Sequence, residues 1–568
     1  MKALFKRDKM IERILKYSLV SLAIYMMGFF FIVKDLGGDS GDVYWRFELN
    51  KTHLAHEWAM PYFTPGRCGG FLLAADAQDP LFSIYMLINF IVPNSIWALK
   101  IGNFLLSLVF GFGIYFWLLY FGLENKAARL FSGFLLVFSG YWVCHMVWGG
   151  HSIWAHGLAY LPWIMIILEE IWKDPIALDR KYWAKVFGLT FLFFLLINSG
   201  YYWLQVAVPV IGARMLLAVM ACFKLKDGSW VKLTVIVMAF AGGVLLSLPR
   251  LGGIYEFQIK KFPRLGGEAG AMQVIGDNIT WVKMTFRSFF DPNIIMHREI
   301  IPNMAFPWDY SNYVGMGSLI LLFLGATQLK KIWSKAIFIS LGLAVIFQCA
   351  MTRTTHAQDL VRAVFPIYKQ ITWYWRGSAI VLLLMAVCIA YGCQWLLTNS
   401  KRYLVFLGWV LMLMIYSDIL WVHLTQTPLV LNPPINQMVV RNNPPPVPLQ
   451  GQYAGCQLGC IFGYGNEHPP QVSFKGGKFD DPSDTVFFNA HDVRRLAMKE
   501  ADGGYYLKHS WPLWPKKDAE SFQKFINYHQ VVPIPESLVI MNAIGSGFWC
   551  FFILLGIIIW KLPNEITG

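Results

Sequence analysis

Three aspartates cluster just after the first apolar stretch of this chain. Asp35, Asp39 and Asp42 fall within the segment DLGGDSGD. A carboxylate placed where water is partly excluded can act as a general base that removes a proton from an attacking hydroxyl. Aspartates at a helix end more often cap a helix or face water, so no single one of the three establishes a site. Their clustering nevertheless favours a chemical role.

The same polar segment continues to Pro80 and contains two more aspartates. The sequence WAMPYFTPGRCGG is followed by LAADAQDP, in which Asp76 and Asp79 precede the proline. A polar segment that is punctuated by glycine and proline and lies next to an apolar helix is typical of a site rather than a tether. Residues 34–95 therefore form the first candidate region for chemistry.

The composition identifies the elements that must position these residues. Of the 568 residues, 56% are hydrophobic and 14% are charged, and the mean hydropathy is +0.47. Because soluble domains have about 25% charged residues, the chain is predicted to be an all-α polytopic membrane protein. Apolar runs of roughly 20 residues can cross the hydrocarbon layer. About twelve spans are predicted, near 17–33, 96–121, 128–147, 153–172, 184–199, 201–222, 231–249, 312–329, 334–351, 376–397, 402–422 and 538–561.

The loop charges predict the orientation of the bundle. The N-terminus is basic, and alternate short loops are basic as well, with Lys173, Arg180 and Lys181 in one of them and Lys330 and Lys331 in another. Basic loops stay in the cytoplasm, so the N-terminus is predicted to be cytoplasmic. The net charge of +14 therefore requires no nucleic-acid partner.

Four segments are then predicted on the outer side of the membrane. Outer loops at 34–95, 250–311 and 352–375 belong to a transmembrane domain at 1–422. Residues 423–537 follow a proline-rich entry and contain short alternating runs such as QVSF and TVFF, which predict a small α/β or β-rich outer-face domain. A final transmembrane helix and a cytoplasmic tail are predicted at 538–568.

Several cations are predicted on the outer side, where the positive-inside rule should deplete them. Arg250 and Arg376 lie at the outer ends of predicted spans, and Lys260 and Arg264 lie in the following outer segment. Such side chains can snorkel toward lipid headgroups. Cations at these positions could instead bind an anion at the membrane surface. This second interpretation is stronger for Arg250 and Arg376, which lie directly at span ends.

The order of several short motifs resembles a known family. The motifs are Asp39, WAMPYF at 58–63, AADAQDP at 74–80, SGY at 139–141, GH at 150–151, LPW at 161–163, NSGYY at 198–202 with Gln205, LPR at 248–250, YVG at 313–315, and FP at 365–366 with Arg376. Each motif is loose, but their order and sidedness resemble YfhO-type bacterial membrane proteins of the GT-C glycosyltransferase superfamily. The resemblance extends over residues 17–422.

This resemblance implies a GT-C-like bundle in the bacterial inner (plasma) membrane, with its active site on the outer face. Such an enzyme transfers a sugar from a polyprenyl-phosphate donor to an envelope acceptor hydroxyl. Asp39 best matches the acidic position of the family, which implies the role of general base. Asp42 is second, because acidic residues at 35, 39 and 42 leave the register open.

The other candidate residues divide into two groups under this interpretation. A leaving phosphate accumulates charge that cations stabilise, and arginine can bind it through two nitrogens. The candidates for the donor phosphate are Arg250, Arg264, Arg376 and Lys260. The candidates for the sugar or the acceptor are His151, His156, Tyr201, Tyr202, Gln205, Asp76, Asp79 and Asp309.

The predicted partners are the lipid-linked donor, an envelope glycan, lipid or protein acceptor, and membrane lipids. No cofactor is required by these residues. The acidic cluster has the ligand chemistry for a divalent cation, whereas a base role needs none, so the metal requirement stays open.

Two alternatives to an enzyme also stay open. A flippase or transporter of lipid-linked sugar would need ionisable groups along a path through the bilayer. The predicted spans have few of them, with Glu169 and Glu170 near an inner end and Asp418 near an outer end. A catalytically silent GT-C-like scaffold in an envelope complex would tolerate the loss of Asp39.

Overall fold

The described part of the chain is almost entirely helical. The structure is a computed structural model, and it describes residues 2–32, 63–64, 71–72, 80–92, 94–148, 152, 156–176, 179–200, 202–224, 229–256, 278–292, 311–364, 368, 374–430, 498–499, 505–506 and 536–561. The predicted all-α membrane class is confirmed at this level.

Nine helices in the described residues are long and apolar enough to cross a membrane. They are Glu12–Phe31, Ser95–Tyr120, Lys126–Val147, Gln205–Lys224, Ser229–Leu246, Ala336–Arg353, Trp375–Leu397, Arg402–Thr425 and Glu536–Lys561. Nine of the predicted spans thus correspond to such helices. The count of about twelve is not confirmed, because three predicted spans are helices that do not meet this description.

Each of these three helices falls short for a physical reason. Leu161–Lys173 has 13 residues and Ser318–Ala326 has 9, whereas a span needs about 20. Arg180–Ile197 has 18 residues, but its first two turns contain three basic side chains. All three helices still pack within the bundle.

We number the α-helices and the strands in chain order. The α-helices are α1 (Lys2–Ile32), α2 (Ile84–Ile91), α3 (Ser95–Tyr120), α4 (Lys126–Val137), α5 (Gly140–Val143), α6 (Leu161–Lys173), α7 (Arg180–Ile197), α8 (Tyr202–Lys224), α9 (Ser229–Leu246), α10 (Leu248–Gly253), α11 (Asn278–Phe290), α12 (Ser318–Ala326), α13 (Ala336–Arg353), α14 (Thr355–Val364), α15 (Ala379–Leu397), α16 (Arg402–Val430) and α17 (Glu536–Lys561). A π-helix, Cys144–Trp148, follows α5, and 3-10 helices occur at His156–Ala159, Leu329–Lys331 and Tyr374–Ser378.

Four two-residue strands also occur in the described residues. β1 (Phe63–Thr64) pairs with β2 (Phe71–Leu72), and β3 (Met498–Lys499) pairs with β4 (Tyr505–Tyr506), both antiparallel. In the predicted outer-face domain, the described residues outside α16 and α17 are β3 and β4. The helix α16 continues through Val430, beyond the predicted boundary at 422.

Side-chain caps determine where several helices begin. The Asn94 carboxamide oxygen accepts hydrogen bonds from the backbone N–H groups of Ile96 and Trp97 at 3.0 and 3.1 Å. Asp179 accepts from Tyr182 N–H at 2.7 Å at the start of α7. Such caps satisfy N–H groups that have no partner within the helix.

Contacts between loops define two ends of the bundle, which we name the basic end and the polar end. The basic end comprises residues 120–126, 170–176, 179–185, 224, 229–232, 330–335 and 394–402, together with the end of α17. Here Lys335 Nζ approaches the Tyr120 carbonyl at 3.4 Å, and the Tyr391 hydroxyl donates to the Phe121 carbonyl at 2.7 Å. The Arg180 guanidinium lies 3.9 Å from the Trp560 ring centroid.

The polar end lies at the opposite termini of the same helices. It comprises residues 138–148, 152, 156–160, 198–200, 247–256, 288–292, 311–316, 374–378 and 418–423, together with the starts of α8 and α17. His423 hydrogen-bonds the Phe138 carbonyl at 2.7 Å, and Gly140 N–H donates to the Tyr313 carbonyl at 2.7 Å. The loops predicted to be cytoplasmic thus gather at one end, and the predicted outer ends gather at the other.

Candidate functional site

Four of the predicted site residues have described side chains, and all four are buried at the polar end. Their exposed fractions are 2% for Arg250, 3% for Arg376, 1% for His156 and 3% for Gln205. Tyr202 begins α8, but its side chain is outside the described residues. The remaining predicted site residues also lie outside the described residues, namely Asp39, Asp42, Asp76, Asp79, His151, Tyr201, Lys260, Arg264 and Asp309.

Arg250 closes the end of a neighbouring helix. Its Nη1 donates a hydrogen bond to the Asn198 carbonyl at 2.8 Å, directly after α7 ends at Ile197. The last carbonyls of a helix lack intrahelical partners, so the guanidinium satisfies one of them and meets the negative end of the helix dipole. Snorkelling toward lipid would require an exposed side chain, and Arg250 is enclosed by protein instead.

The Asn198 side chain extends this network. Its Nδ2 donates to Ser247 Oγ and to the Phe194 carbonyl, each at 2.8 Å. Its Oδ1 is buried and has no hydrogen-bond partner within the described part of the chain. One acceptor of this network therefore remains available to a donor from elsewhere.

The last helix supports the segment that contains Arg250. A Cβ at Gly252 would lie 2.7 Å from Met541 Sδ, and a Cβ at Gly545 would lie 2.5 Å from Pro249 Cδ. Ser537 Oγ also donates to Glu256 Oε1 at 2.8 Å. The helix that follows the predicted outer domain therefore packs directly on α10.

His156 belongs to a neutral polar cluster on the 3-10 helix His156–Ala159. Its Nδ1 faces the Ser152 carbonyl at 3.2 Å and therefore has the proton, because a carbonyl can only accept. The imidazole packs edge-on against Tyr85 and Tyr160, with ring centroids 5.3 and 5.9 Å away. The Tyr85 hydroxyl donates to Asn103 Oδ1 at 2.7 Å.

The two tyrosines of this cluster stay uncharged. Burial raises the pKa of the Tyr85 phenol well above its usual value, and neighbouring Tyr160 raises it further. The Tyr160 hydroxyl is buried and has no hydrogen-bond partner among the described residues. The cluster therefore offers uncharged hydroxyl groups beside the imidazole.

Gln205 lies one turn inside α8. Neither Nε2 nor Oε1 has a hydrogen-bond partner among the described residues, although both atoms are buried. Leaving a buried polar group without a partner costs about 1–3 kcal/mol. α8 contacts the 3-10 helix His156–Ala159 and also the 3-10 helix Tyr374–Ser378. Gln205 therefore lies on a helix that contacts the segments of both His156 and Arg376.

Arg376 lies on a short segment that its neighbours fix in place. In the 3-10 helix Tyr374–Ser378, Gly377 packs directly against the Gln348 amide. Ser378 Oγ donates to Asn312 Oδ1 at 3.0 Å, and Asn312 N–H donates to the Ser288 carbonyl at 2.8 Å. The segment that holds Arg376 is thus tied to both the 311–316 loop and α11.

Taken together, these elements bring buried cations and neutral hydrogen-bonding groups to one end of the bundle. The 3-10 helix of His156 contacts α7, whose last carbonyls meet Arg250, since Gly157 packs against the Ser199 side chain. Within the described residues, no group of three or more His, Cys, Asp or Glu side chains could hold a metal ion. The arginines could bind an anion, and the other polar side chains could hydrogen-bond an uncharged ligand group that is rich in hydroxyls.

Three charged groups within the spans were overlooked or undervalued in the sequence. Arg214, in the middle of the Gln205–Lys224 span, forms a buried ion pair with Glu169. The spans therefore contain more buried charge than the sequence analysis stated, because Lys100, which is 5% exposed within Ser95–Tyr120, was omitted as well. Asp418 accepts hydrogen bonds from the Tyr313 hydroxyl at 2.7 Å and from Met316 N–H at 3.0 Å. The signal for each was a charged residue within an apolar run.

Comparisons with known proteins identify no family for this chain. No family model matches it, and neither the curated proteins nor the solved structures include a match.

Proposed function

We propose that this protein is a membrane glycosyltransferase that transfers a sugar from a polyprenyl-phosphate donor to an envelope acceptor hydroxyl at the outer face of the inner membrane. The observation that supports this function best is the pair of buried arginines, Arg250 and Arg376, at the polar end. This end lies opposite the basic end, which the positive-inside rule assigns to the cytoplasm. Buried outer cations have a role if an anionic group binds there.

The donor phosphate and the sugar would meet different groups. Arg250 and Arg376 would stabilise the charge that develops on the leaving phosphate oxygen. Gln205 and His156 would hydrogen-bond the hydroxyls of the sugar or the acceptor. This division is supported by the uncharged tyrosines around His156 and by the two buried amide atoms of Gln205, which have no partner among the described residues.

The reaction would also require a base from the first outer loop, with Asp39 first and Asp42 second. The carboxylate would take the proton of the acceptor hydroxyl, and the acceptor oxygen would bond to the anomeric carbon. The bond between that carbon and the phosphate oxygen would break, which releases polyprenyl phosphate with the bonding electron pair. These steps need no metal ion, although the acidic cluster could hold one.

The function is tested with the full-length protein in nanodiscs that contain radiolabelled polyprenyl-phosphate sugars and extracted envelope acceptors. Wild type should move label from the lipid to the acceptor, and Asp39→Asn should reduce the rate by about a hundredfold or more, as expected for a positioned base. Donor binding should be unchanged in this variant.

Other results would redirect or overturn the proposal. Equal rates for wild type and Asp39→Asn would move the base role to Asp42, which Asp42→Asn then tests. If wild type moves the intact donor between leaflets without transferring label, the protein is a flippase. Wild type that does neither with any donor supports the scaffold.

A further inference from the structure

Two lysines converge on one tyrosine at the basic end. Tyr120 is the last residue of α3, and Lys173 is the last residue of α6. Lys173 Nζ lies 4.7 Å from the centroid of the Tyr120 ring, and Lys335 Nζ lies 3.4 Å from the Tyr120 carbonyl oxygen. Three helix ends thus bring two ammonium groups close to a single residue.

Neither lysine forms an ion pair within the described part of the chain. The nearby carboxylates form ion pairs with another cation, because Lys185 Nζ lies 3.0 Å from Glu170 Oε2 and 2.5 Å from Asp174 Oδ2. Glu170 also accepts a hydrogen bond from the Tyr120 hydroxyl at 2.8 Å. Glu170 and Asp174 are therefore engaged by Lys185 and Tyr120, and neither carboxylate forms an ion pair with Lys173 or Lys335 among the described residues.

The environment of Lys335 shows the effect of this imbalance. Burial lowers the pKa of Lys335, and the charge of Lys173 lowers it further. Gly122, at a φ of 89°, lets the ammonium lie close to the backbone, because a Cβ there would lie 3.0 Å from Lys335 Nζ. An anion bound between the two lysines would remove their mutual repulsion.

We propose that Lys173 and Lys335 bind the phosphate of an anionic phospholipid from the leaflet that faces the basic end. Lys335 immediately precedes the apolar span Ala336–Arg353, which sets its ammonium at the depth of a lipid headgroup. Trp333, two residues earlier, is 71% exposed, as expected of an aromatic residue at the membrane interface. Basic pockets between helices on the cytoplasmic side are typical binding sites for anionic headgroups.

This site is distinct from the polar end and does not depend on the proposed enzymatic function. The test uses the full-length protein in nanodiscs of phosphatidylcholine that contain a minor fraction of phosphatidylglycerol. Native mass spectrometry counts the phosphatidylglycerol molecules that remain bound. A double variant, Lys173→Gln with Lys335→Gln, is compared with a charge-matched control, Lys330→Gln with Lys401→Gln, whose lysines are exposed at the same end.

Wild type and the control should retain phosphatidylglycerol, and the Lys173/Lys335 double variant should lose about tenfold or more in apparent affinity. The charge-conserving double variant, Lys173→Arg with Lys335→Arg, should bind phosphatidylglycerol as wild type does. The thermal unfolding temperature of every variant in pure phosphatidylcholine serves to show that the fold is intact. Equal loss in both double variants would overturn the site in favour of general surface attraction. Displacement of the lipid by millimolar inorganic phosphate would overturn its assignment to a lipid.

Discussion

Buried polar groups at the polar end differ in how fully their hydrogen bonds are satisfied. Asn103 accepts from the Tyr85 hydroxyl and donates to the Met146 carbonyl, so both ends of its amide have partners. Gln205 has none within the described part of the chain, although it is equally buried. A buried side chain without a partner among the described residues contributes little to stability, so we propose that it serves a ligand.

Gln205→Leu should separate stability from activity. The variant should unfold at the same temperature as wild type or higher, because it removes two unsatisfied buried atoms. Sugar transfer should fall by roughly tenfold, the equivalent of one lost hydrogen bond. Thermal unfolding and the radiolabel assay measure the two effects.

The matched control is Gln394→Leu at the basic end. Gln394 Oε1 accepts from the backbone N–H groups of Glu124 and Asn125 at 2.9 and 3.0 Å. Its replacement should lower stability by about 1–2 kcal/mol and leave the transfer rate per folded molecule unchanged. The opposite pattern in the two variants would reject a ligand role for Gln205.

The ion pair between Glu169 and Arg214 is a second feature at this scale. Both side chains are buried, and the guanidinium also lies 5.4 Å from the Trp172 ring centroid. A buried pair contributes little over an apolar pair, but either charge alone is strongly unfavourable.

A double-mutant cycle tests how strongly Glu169 and Arg214 interact. Glu169→Leu and Arg214→Met should each cost about 3–5 kcal/mol, and the double variant should cost less than either single variant. Unfolding by detergent titration in mixed micelles measures the three free energies. Additive losses would mean that the two groups do not interact.

At the scale of elements, glycine determines which helices approach closely. Small residues let helix backbones meet where no hydrophobic driving force exists between helices in lipid. In α12, Gly325 packs against the Cys388 carbonyl of α15, and Gly392 of α15 packs against the Leu321 carbonyl in return. Gly545 brings α17 against Pro249, next to Arg250.

Gly545→Ala should therefore destabilise the protein, while Gly547→Ala should not. A methyl group at Gly545 would collide with the rigid Pro249 ring, which costs roughly 1–3 kcal/mol, whereas a Cβ at Gly547 meets nothing within 4 Å. Alanine is also the better helix former by about 1 kcal/mol, so Gly547→Ala should be neutral or stabilising. Thermal unfolding compares the two variants, and equal effects would contradict the packing of α17 on α10.

At the scale of the whole molecule, charge is divided between the two ends. Lysines and arginines at the basic end lie in the short connections and at the adjoining helix ends, whereas Arg250 and Arg376 at the polar end are buried. The first distribution is typical of cytoplasmic loops, and the second supports the proposed anion-binding role.

This division predicts the accessibility of each end in intact cells. A membrane-impermeant maleimide added from outside should label Glu536→Cys, at the exposed start of α17, and should not label Lys401→Cys until the membrane is permeabilised. The parent protein, with its native cysteines, supplies the background. Labelling of Lys401→Cys in intact cells would reverse the orientation and place the polar end in the cytoplasm.

Much of the helical architecture could be predicted from the sequence, because a span of about 20 apolar residues is a local property. The span predicted at 312–329 is longer than the helix that forms there, Ser318–Ala326, and the reason is non-local. Gly315 turns the chain at a φ of 84°, and Asp418 of α16 binds the Tyr313 hydroxyl and Met316 N–H, so the apolar residues before Ser318 form a loop. A partner about a hundred residues away cannot be recognised in a local window.

By itself, the sequence determined the membrane class and the gathering of basic loops at one end, since hydrophobicity and charge act on each segment separately. It also selected Arg250, Arg376, His156 and Gln205 as residues of interest. Only the tertiary structure decided that all four are buried, that Arg250 closes α7 and that Gln205 has no partner among the described residues, because burial and hydrogen bonding depend on which distant helices meet.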